Sequence, residues 1–409
     1  MAANEMAIFQ NLPTRSCFAL KQCYQTVLSN SARKQRYQAV LASSGFAPKT
    51  SFVYNRLRFC SVTSCLVVSS GSPSPAAQAA PWTAAAIPDQ SGRLALITGA
   101  NSGLGLETAR ALAAKGATVV LACRSATKAD RARAQLLDEL AREPAGTPHG
   151  PLDVLHLDLA DLDSVVAAAA RVAERYGRLD LLINNAGVMA PPRQLTRQGF
   201  ELQFGTNHLG HYALTRLLLP CLEHQSGARV VQVSSGAQYF GRLAFEDLQG
   251  ESRYDRWRAY SQSKLANVVL AQELQRRLTA GGSGVICLAA HPGLARTNLQ
   301  PTSVAASGAW LESLAYRLLD PLFQSAAMGA LPLLYAATEA AAEPGGHYGP
   351  SQWGGMKGWP VPVRLAPAAL DPLQGKRLWQ VSEQLCRQAS SAWAAAAAAV
   401  DASRPGLGG

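Results

Sequence analysis

From residue 93 onward, short apolar runs alternate with longer amphipathic stretches. Leu94-Ala95-Leu96-Ile97 is bounded by polar residues and leads into Thr98-Gly99, the pattern of a strand buried on both faces. A helix-period stretch from Leu104 to Lys115 follows and stops at Gly116. The alternation then predicts a strand over Val119–Ala122, a charged helix from Ala126 to Ala141 and a strand over Val154–Leu157. A helix from Asp161 to Arg175 comes next, with Asp161 as N-cap, then a strand over Leu179–Ile183. Helix over Leu209–Leu222, strand over Arg229–Val233, helix over Ala259–Leu278 and strand over Val285–Ala289 continue the series, and Gly345 to Trp359 reads as a final strand and turn. Strand and helix at this spacing make βαβ units, which right-handed crossovers assemble into a parallel sheet with helices on both faces. The predicted fold class is α/β, a single Rossmann-type doubly wound sheet in three α/β/α layers spanning 89–390. The alanine-rich residues 391–409 read as a frayed, disordered tail.

Charge divides the chain differently. Of 409 residues, 38 are Lys or Arg and 27 Asp or Glu, a net +11, which taken alone is a nucleic-acid or membrane-surface signal. Residues 1–88 hold one acid, Glu5, against eight bases from Arg15 to Arg58, so +7 belongs to this leader and +4 to the rest. The leader is acid-poor and rich in Ser and Thr throughout, the composition of an organelle transit peptide. It predicts a chloroplast address, with the mitochondrion as the alternative. Its bases are thinly spread, unlike a nucleic-acid arm, and no run of 18 apolar residues marks a membrane span, although peripheral membrane contact stays open. Cys123, Cys221, Cys287 and Cys386 are far apart and form no metal or disulfide pattern.

Two groups of residues carry candidate chemistry. Gly99, Asn101, Ser102, Gly103, Leu104 and Gly105 lie where the first strand passes into the first helix. There a glycine-rich turn lets a pyrophosphate approach the backbone and meet the helix N-terminus. After the second strand, where an acid would bind the ribose 2′-hydroxyl of NAD, stands Arg124, with Lys128 nearby; a cation there pairs with a 2′-phosphate and favours NADP(H). Tyr260 and Lys264 are one helical turn apart on one face. A phenol titrates near about 10, and a neighbouring ammonium lowers that value, which makes the pair a general acid/base for carbonyl–alcohol conversion.

Thr98-Gly99-Ala100-Asn101-Ser102-Gly103-Leu104-Gly105, Asn184-Asn185-Ala186-Gly187, Ser234-Ser235, Tyr260-Ser261-Gln262-Ser263-Lys264 and His291-Pro292-Gly293 with Thr297 occur in this order. The series resembles the short-chain dehydrogenase/reductase family. Thr206-Asn207-His208-Leu209-Gly210-His211 and the long step from Ser235 to Tyr260 look most like its retinol dehydrogenase-type branch. Protochlorophyllide reductases and a dehydrogenase of the chloroplast import machinery share much of the pattern. The resemblance implies Tyr260 as proton donor or acceptor, with Lys264 lowering its pKa and binding the nicotinamide ribose. It makes Ser235 the residue that polarises the substrate oxygen and Asn207 the holder of a water. Asp158 with Leu159 would contact the adenine, Asn185, Ala186 and Gly187 would wall its ribose, and Pro292, Gly293 and Thr297 would clamp the nicotinamide. His208 and His211 read as structural, as does Ser234.

Ser261 stands where the protochlorophyllide reductase signature has lysine, which argues against photochemical pigment reduction. Substrate loops would be Val188–Pro192, Gly236–Trp257 and Leu294–Phe323. The last is apolar, with Trp310, Leu311, Leu314, Tyr316, Leu318, Leu319, Leu322 and Phe323, and fits a hydrophobic substrate. The expected activity is NADP(H)-dependent interconversion of a carbonyl and an alcohol on a hydrophobic small molecule. The alternatives are a plastid protochlorophyllide reductase-like enzyme and an NADP(H)-sensing component of a chloroplast import complex. Homodimers are common in the family; no metal is expected.

Overall fold

The computed structural model describes residues 80–143, 149–295 and 323–403. The leader up to residue 79, Thr297, and the substrate segment from 296 to 322 lie outside the described residues.

The described chain runs β1 (Leu94–Thr98), α1 (Gly103–Ala113), β2 (Thr118–Cys123), α2 (Ala126–Leu140), β3 (Leu152–His156), α3 (Leu162–Tyr176) and β4 (Leu181–Asn184). It continues with α4 (Gly210–Glu223), β5 (Arg229–Val233), α5 (Arg256–Ala280), β6 (Ile286–Ala290), α6 (Ala326–Thr338), β7 (His347–Gln352), β8 (Lys357–Pro362), α7 (Pro372–Ala389) and α8 (Ser391–Ser403). The eight strands form one sheet in the order β3-β2-β1-β4-β5-β6-β7-β8. All pairings are parallel except β7 with β8, which is antiparallel and carries a register shift between Pro350 and Gln352. The expected final strand and turn is therefore a strand pair. The two arms are joined by Trp353–Met356, where Gly354 and Gly355 take left-handed conformations.

Alternation along β1 feeds two apolar layers, as a period of two requires. Leu94 and Leu96 face the layer that holds α3, α4 and α5, while Ala95 and Ile97 face the layer that holds α1, α2 and α6. Each fully buried leucine or isoleucine contributes about 1.5–3 kcal/mol by leaving water. Helix ends follow their local chemistry: Asp161 accepts from the Asp163 amide at 3.1 Å to cap α3, and Gly177 closes it in a left-handed turn (φ 62°).

Both expected boundaries of the body move outward. Ile87 is buried, and the Trp82 indole donates to Glu339 Oε2 at 2.8 Å while meeting Tyr335 edge-on, so the packed chain begins ahead of residue 89. Residues 391–403 are not a frayed tail but helix α8. Alanine is the best helix former, and Trp393, wholly buried, docks this helix on α4 with its indole 3.4 Å from the Ala213 carbonyl oxygen.

Helices α7 and α8 together close over Arg216, a buried cation of α4. Its guanidinium bonds Asp401 at 2.6 Å and Glu383 at 3.4 Å; Arg387 bonds the same two acids at 2.8 and 2.7 Å, and Tyr212 donates to Glu383 at 2.6 Å. A buried arginine is tolerated only when its charge is matched in this way. Among the described residues no helix is long and apolar enough to cross a membrane.

Trp393→Ala is expected to destabilise the protein by about 3–5 kcal/mol, the usual cost of emptying a buried indole site. Urea denaturation of the full chain checks this; a loss under about 1 kcal/mol would mean that α8 only rests on the surface.

Candidate active site

Strands β1 and β4 are neighbours from which the chain departs in opposite directions, so a crevice opens at their carboxyl ends. One buried hydroxyl joins its two sides. Thr98 Oγ1 accepts from the amides of Asn185 and Ala186, each at 2.9 Å, and lies 2.9 Å from His211 Nε2; Asn185 Nδ2 donates back to the Thr98 carbonyl at 2.8 Å. His211 Nδ1 lies 2.9 Å from the Asn207 carbonyl, which can only accept, so Nδ1 carries the proton. Nε2 is then the acceptor for the Thr98 hydroxyl, and the ring is neutral.

On the β1 side, Ser102 is the N-cap of α1 but makes no capping bond with its side chain. The N-terminus of α1 is thus without a cap from Ser102, an arrangement that suits an anion. Gly99 turns with φ 67°, and a Cβ on Gly105 would stand 2.6 Å from both Asn185 Nδ2 and the Gly99 carbonyl. Asn101 and Gly103 complete the turn, and Leu104 is buried beneath it. Arg124 is exposed immediately beyond β2. Asp158 holds the turn after β3 by accepting from the Ala160 amide at 3.0 Å, with Leu159 buried beside it. Asn185, Ala186 and Gly187 line the β4 side, and Pro292 and Gly293 follow β6, where Gln324 Nε2 bonds the Pro292 carbonyl at 2.7 Å. These residues fit a dinucleotide: a helix N-terminus with no cap from the Ser102 side chain, a floor with no room for a side chain, and an exposed cation where a ribose phosphate would lie.

Asn207, Ser235, Tyr260 and Lys264 come together beside this floor. Tyr260 is buried with the Ser235 side chain near enough to favour its phenolate, and Lys264 Nζ lies 5.9 Å from the Tyr260 ring centre and 3.3 Å from the Val233 carbonyl. Burial pushes the phenol up to about 12 against the lowering effect of Ser235, and pushes the Lys264 ammonium down to about 8. This differs from the expected lowering of Tyr260 by Lys264: the lowering influence comes from Ser235, desolvation outweighs it, and the phenol keeps its proton at neutral pH.

Asn207 lies in a π-helical segment, Gly205–Leu209, where the sequence predicted none. Its side chain is committed to protein. Oδ1 accepts from the Val188 amide at 2.7 Å, while Nδ2 donates to the Val188 carbonyl and to Ser263 Oγ, both at 2.9 Å. Ser263 in turn donates to the Tyr260 carbonyl at 2.8 Å. Ser263 and Thr98 lay within quoted motifs without a role; their work is joining segments distant in sequence, for which spacing gives no signal. Ser234 Oγ donates to the Lys264 carbonyl at 2.8 Å, tying the end of β5 to α5. His208 lies 2.8 Å from Ser382 on α7, and like His211 it is wholly buried; both act as structural ties.

A family model described as short chain dehydrogenase matches residues 93–307. Retinol dehydrogenase 12 of Homo sapiens is 40% identical over 296 residues, 72% of this chain and 86% of that protein. Retinol dehydrogenase 13 of Homo sapiens is 40% identical over 301 residues, 72% and 84% of the two chains. A crystal structure of an uncharacterized protein from Mycobacterium Paratuberculosis is 44% identical with a TM-score of 0.61, covering 75% of this chain and 98% of that one.

Four buried histidines set the acid limit of this architecture. Burial pushes His208 and His291 down to about 3 and His211 and His347 down to about 4, with His211 further depressing His208 and His347 further depressing His291. The unfolded chain binds these protons near pH ~6.5 and the folded one does not. Stability present above that pH is therefore lost as pH falls, by up to about 1.4 kcal/mol per pH unit for each histidine. The melting temperature is expected to drop steeply between pH 6.5 and 4.5; a flat profile across that window would contradict the neutral assignments.

Proposed function

The chain belongs to the short-chain dehydrogenase/reductase family, and on that premise we propose that it is an NADP(H)-dependent oxidoreductase that reduces a carbonyl on a hydrophobic small molecule to the alcohol. The observation that carries this reading is the buried Tyr260 phenol, set beside the Ser235 side chain and Lys264.

Gly99 to Gly105 would receive the pyrophosphate, Arg124 the 2′-phosphate, and Asn185 to Gly187 with Pro292 and Gly293 the remainder of the dinucleotide. The bound cofactor supplies the hydride and the protein the orientation and electrostatics. Ser235 and Tyr260 both direct hydroxyls at the carbonyl oxygen, drawing electrons toward it. Tyr260 gives up its proton as the alcohol forms. Raised to about 12, the phenol is present as an acid at neutral pH, which suits reduction better than oxidation. The charge left on its oxygen is favoured by the Lys264 ammonium, and Ser263 and Asn207 fix the helix turn that carries it. The names of the relatives support an isoprenoid aldehyde of the retinaldehyde type as the first substrate to try.

With all-trans-retinaldehyde as probe, Tyr260→Phe is expected to lose at least about 10²–10⁴-fold in turnover while NADPH binding, read by fluorescence, is retained. NADH in place of NADPH is expected to bind at least about tenfold more weakly, a difference of about 1.4 kcal/mol. Retained turnover would remove Tyr260 from the mechanism, and equal affinities would remove Arg124 from cofactor choice.

The same proposal extends to the part of residues 1–88 that precedes the packed Trp82 as a chloroplast address, supported by its +7 charge and hydroxyl-rich composition. Fused to a fluorescent protein in plant cells, the segment is expected to direct it to plastids. Mitochondrial or cytosolic signal would reject that address.

A further inference from the structure

The loop that leaves β4 contains a backbone conformation that its sequence does not favour. Ala190 has φ 46° and is wholly buried. A residue with a side chain disfavours that left-handed region and holds it only when its surroundings impose it. Here a set of side chains grips the loop's backbone. Asn207 takes both the amide and the carbonyl of Val188, at 2.7 and 2.9 Å. Gln203 Oε1 accepts from the Ala190 amide at 2.8 Å, and Arg256 Nη1 reaches the Ala190 carbonyl at 3.5 Å. Tyr254 Oη lies 3.3 Å from the Pro191 carbonyl and 3.2 Å from Glu201 Oε1.

Gln203 is the keystone of this grip. It is wholly buried, and its amide nitrogen donates to Tyr254 Oη at 3.0 Å and to the Arg256 carbonyl at 2.9 Å. One side chain thereby joins the loop, the start of α5 four residues before Tyr260, and the segment that leads into the π-helical turn of Asn207. The loop in turn abuts the site: a Cβ on Gly187 would stand 3.0 Å from Asn207 Oδ1 and 3.3 Å from Lys264 Nζ.

We propose that Gln203 is a positioning residue, which holds the Val188–Pro191 backbone in its left-handed turn at Ala190 so that the loop forms a fixed wall of the substrate site beside Lys264. The assignment of that wall to a substrate site rests on the carbonyl-reductase reading above; the grip on the loop does not. Gln203 touches neither Tyr260 nor Ser235 in its recorded bonds, so its influence falls on substrate placement rather than on proton transfer.

The test uses Gln203→Met, similar in size but without the polar atoms, and the double variant Gln203→Met with Ala190→Gly. Glycine enters left-handed conformations without steric cost, so it should hold the turn without Gln203. Amide hydrogen exchange of the full-length protein is read at Val188 and Ala190, and steady-state kinetics use all-trans-retinaldehyde with NADPH. Gln203→Met is expected to speed exchange at least about tenfold at both amides, including Val188, which Gln203 does not touch. It should also raise KM at least about tenfold with kcat within about threefold. The double variant is expected to return Val188 exchange and KM to within about threefold of the parent.

Unchanged exchange at Val188, or no rescue by glycine, would overturn the proposal and leave Gln203 an ordinary buried hydrogen-bonding residue. If Gln203→Met does not fold, Tyr254→Phe loosens the same clamp from its half-buried end. Val188 exchange is then expected to rise at least about threefold, and no rise would overturn the proposal equally. A parent protein inert toward retinaldehyde would count against the carbonyl-reductase reading, while the exchange measurements would still decide the role of Gln203.

Discussion

The crevice depends on a single hydroxyl. Parallel strands β1 and β4 are held together along their length by ladder bonds, but the ladder ends where the chain must diverge. At that point the half-buried Ala186 amide needs a partner off the ladder, and the Asn185 amide, which also reaches the Ile183 carbonyl at 3.0 Å, takes a second one. Thr98 Oγ1 accepts from both and donates a hydrogen bond to His211 Nε2. The arrangement works only with a neutral imidazole, and burial keeps it neutral. From His211 the connection runs through the Asn207 carbonyl to the π-helical turn, and from the Asn207 side chain through Ser263 to Tyr260. Cofactor floor and acid/base pair are thus two ends of one hydrogen-bonded chain.

What could be read from the sequence follows from how local each signal is. β1, β2 and β5 are short apolar runs between polar flanks, and Arg229–Val233 emerges with the bounds expected of it. The glycine turn, Ser235, and Tyr260 with Lys264 fall at strand ends or on one helix face, where spacing alone places them. Helices α6 and α8 carry no comparable pattern. Pro332 and the small residues Ala326, Ala327 and Gly329 in α6 blur its period, and the alanine run of α8 is neutral as to which face is buried, so only the packing of Trp393 reveals it. The π-helical turn was invisible for a different reason. Gly205 to Leu209 is compatible with an ordinary helix, and the wider winding accompanies bonds that Asn207 and His211 make to Val188 and Thr98 on other segments.

Charge behaves differently at the centre and at the periphery. In the site, burial raises the phenol and lowers the ammonium, keeping the one protonated and drawing the other toward neutral pH. At the outer layer, burial of the Arg216 guanidinium is matched by Glu383 and Asp401, so charge is retained there by pairing. The first environment tunes proton affinity for chemistry; the second fixes where α7 and α8 sit.

The π-helical turn also says which length changes this protein can accept. Such a turn is an ordinary helix holding one extra residue. Removing one residue from Gly205–Leu209 would let the backbone relax to standard winding with the flanking turns still in phase, so the change would fall on the turn itself. Asn207 would then lose the wide turn from which its side chain reaches the loop after β4. Single-residue gaps should therefore be tolerated in the exposed stretch around Ser226 and Gly227 after α4 and selected against across this turn, a constraint on chain length rather than on residue identity.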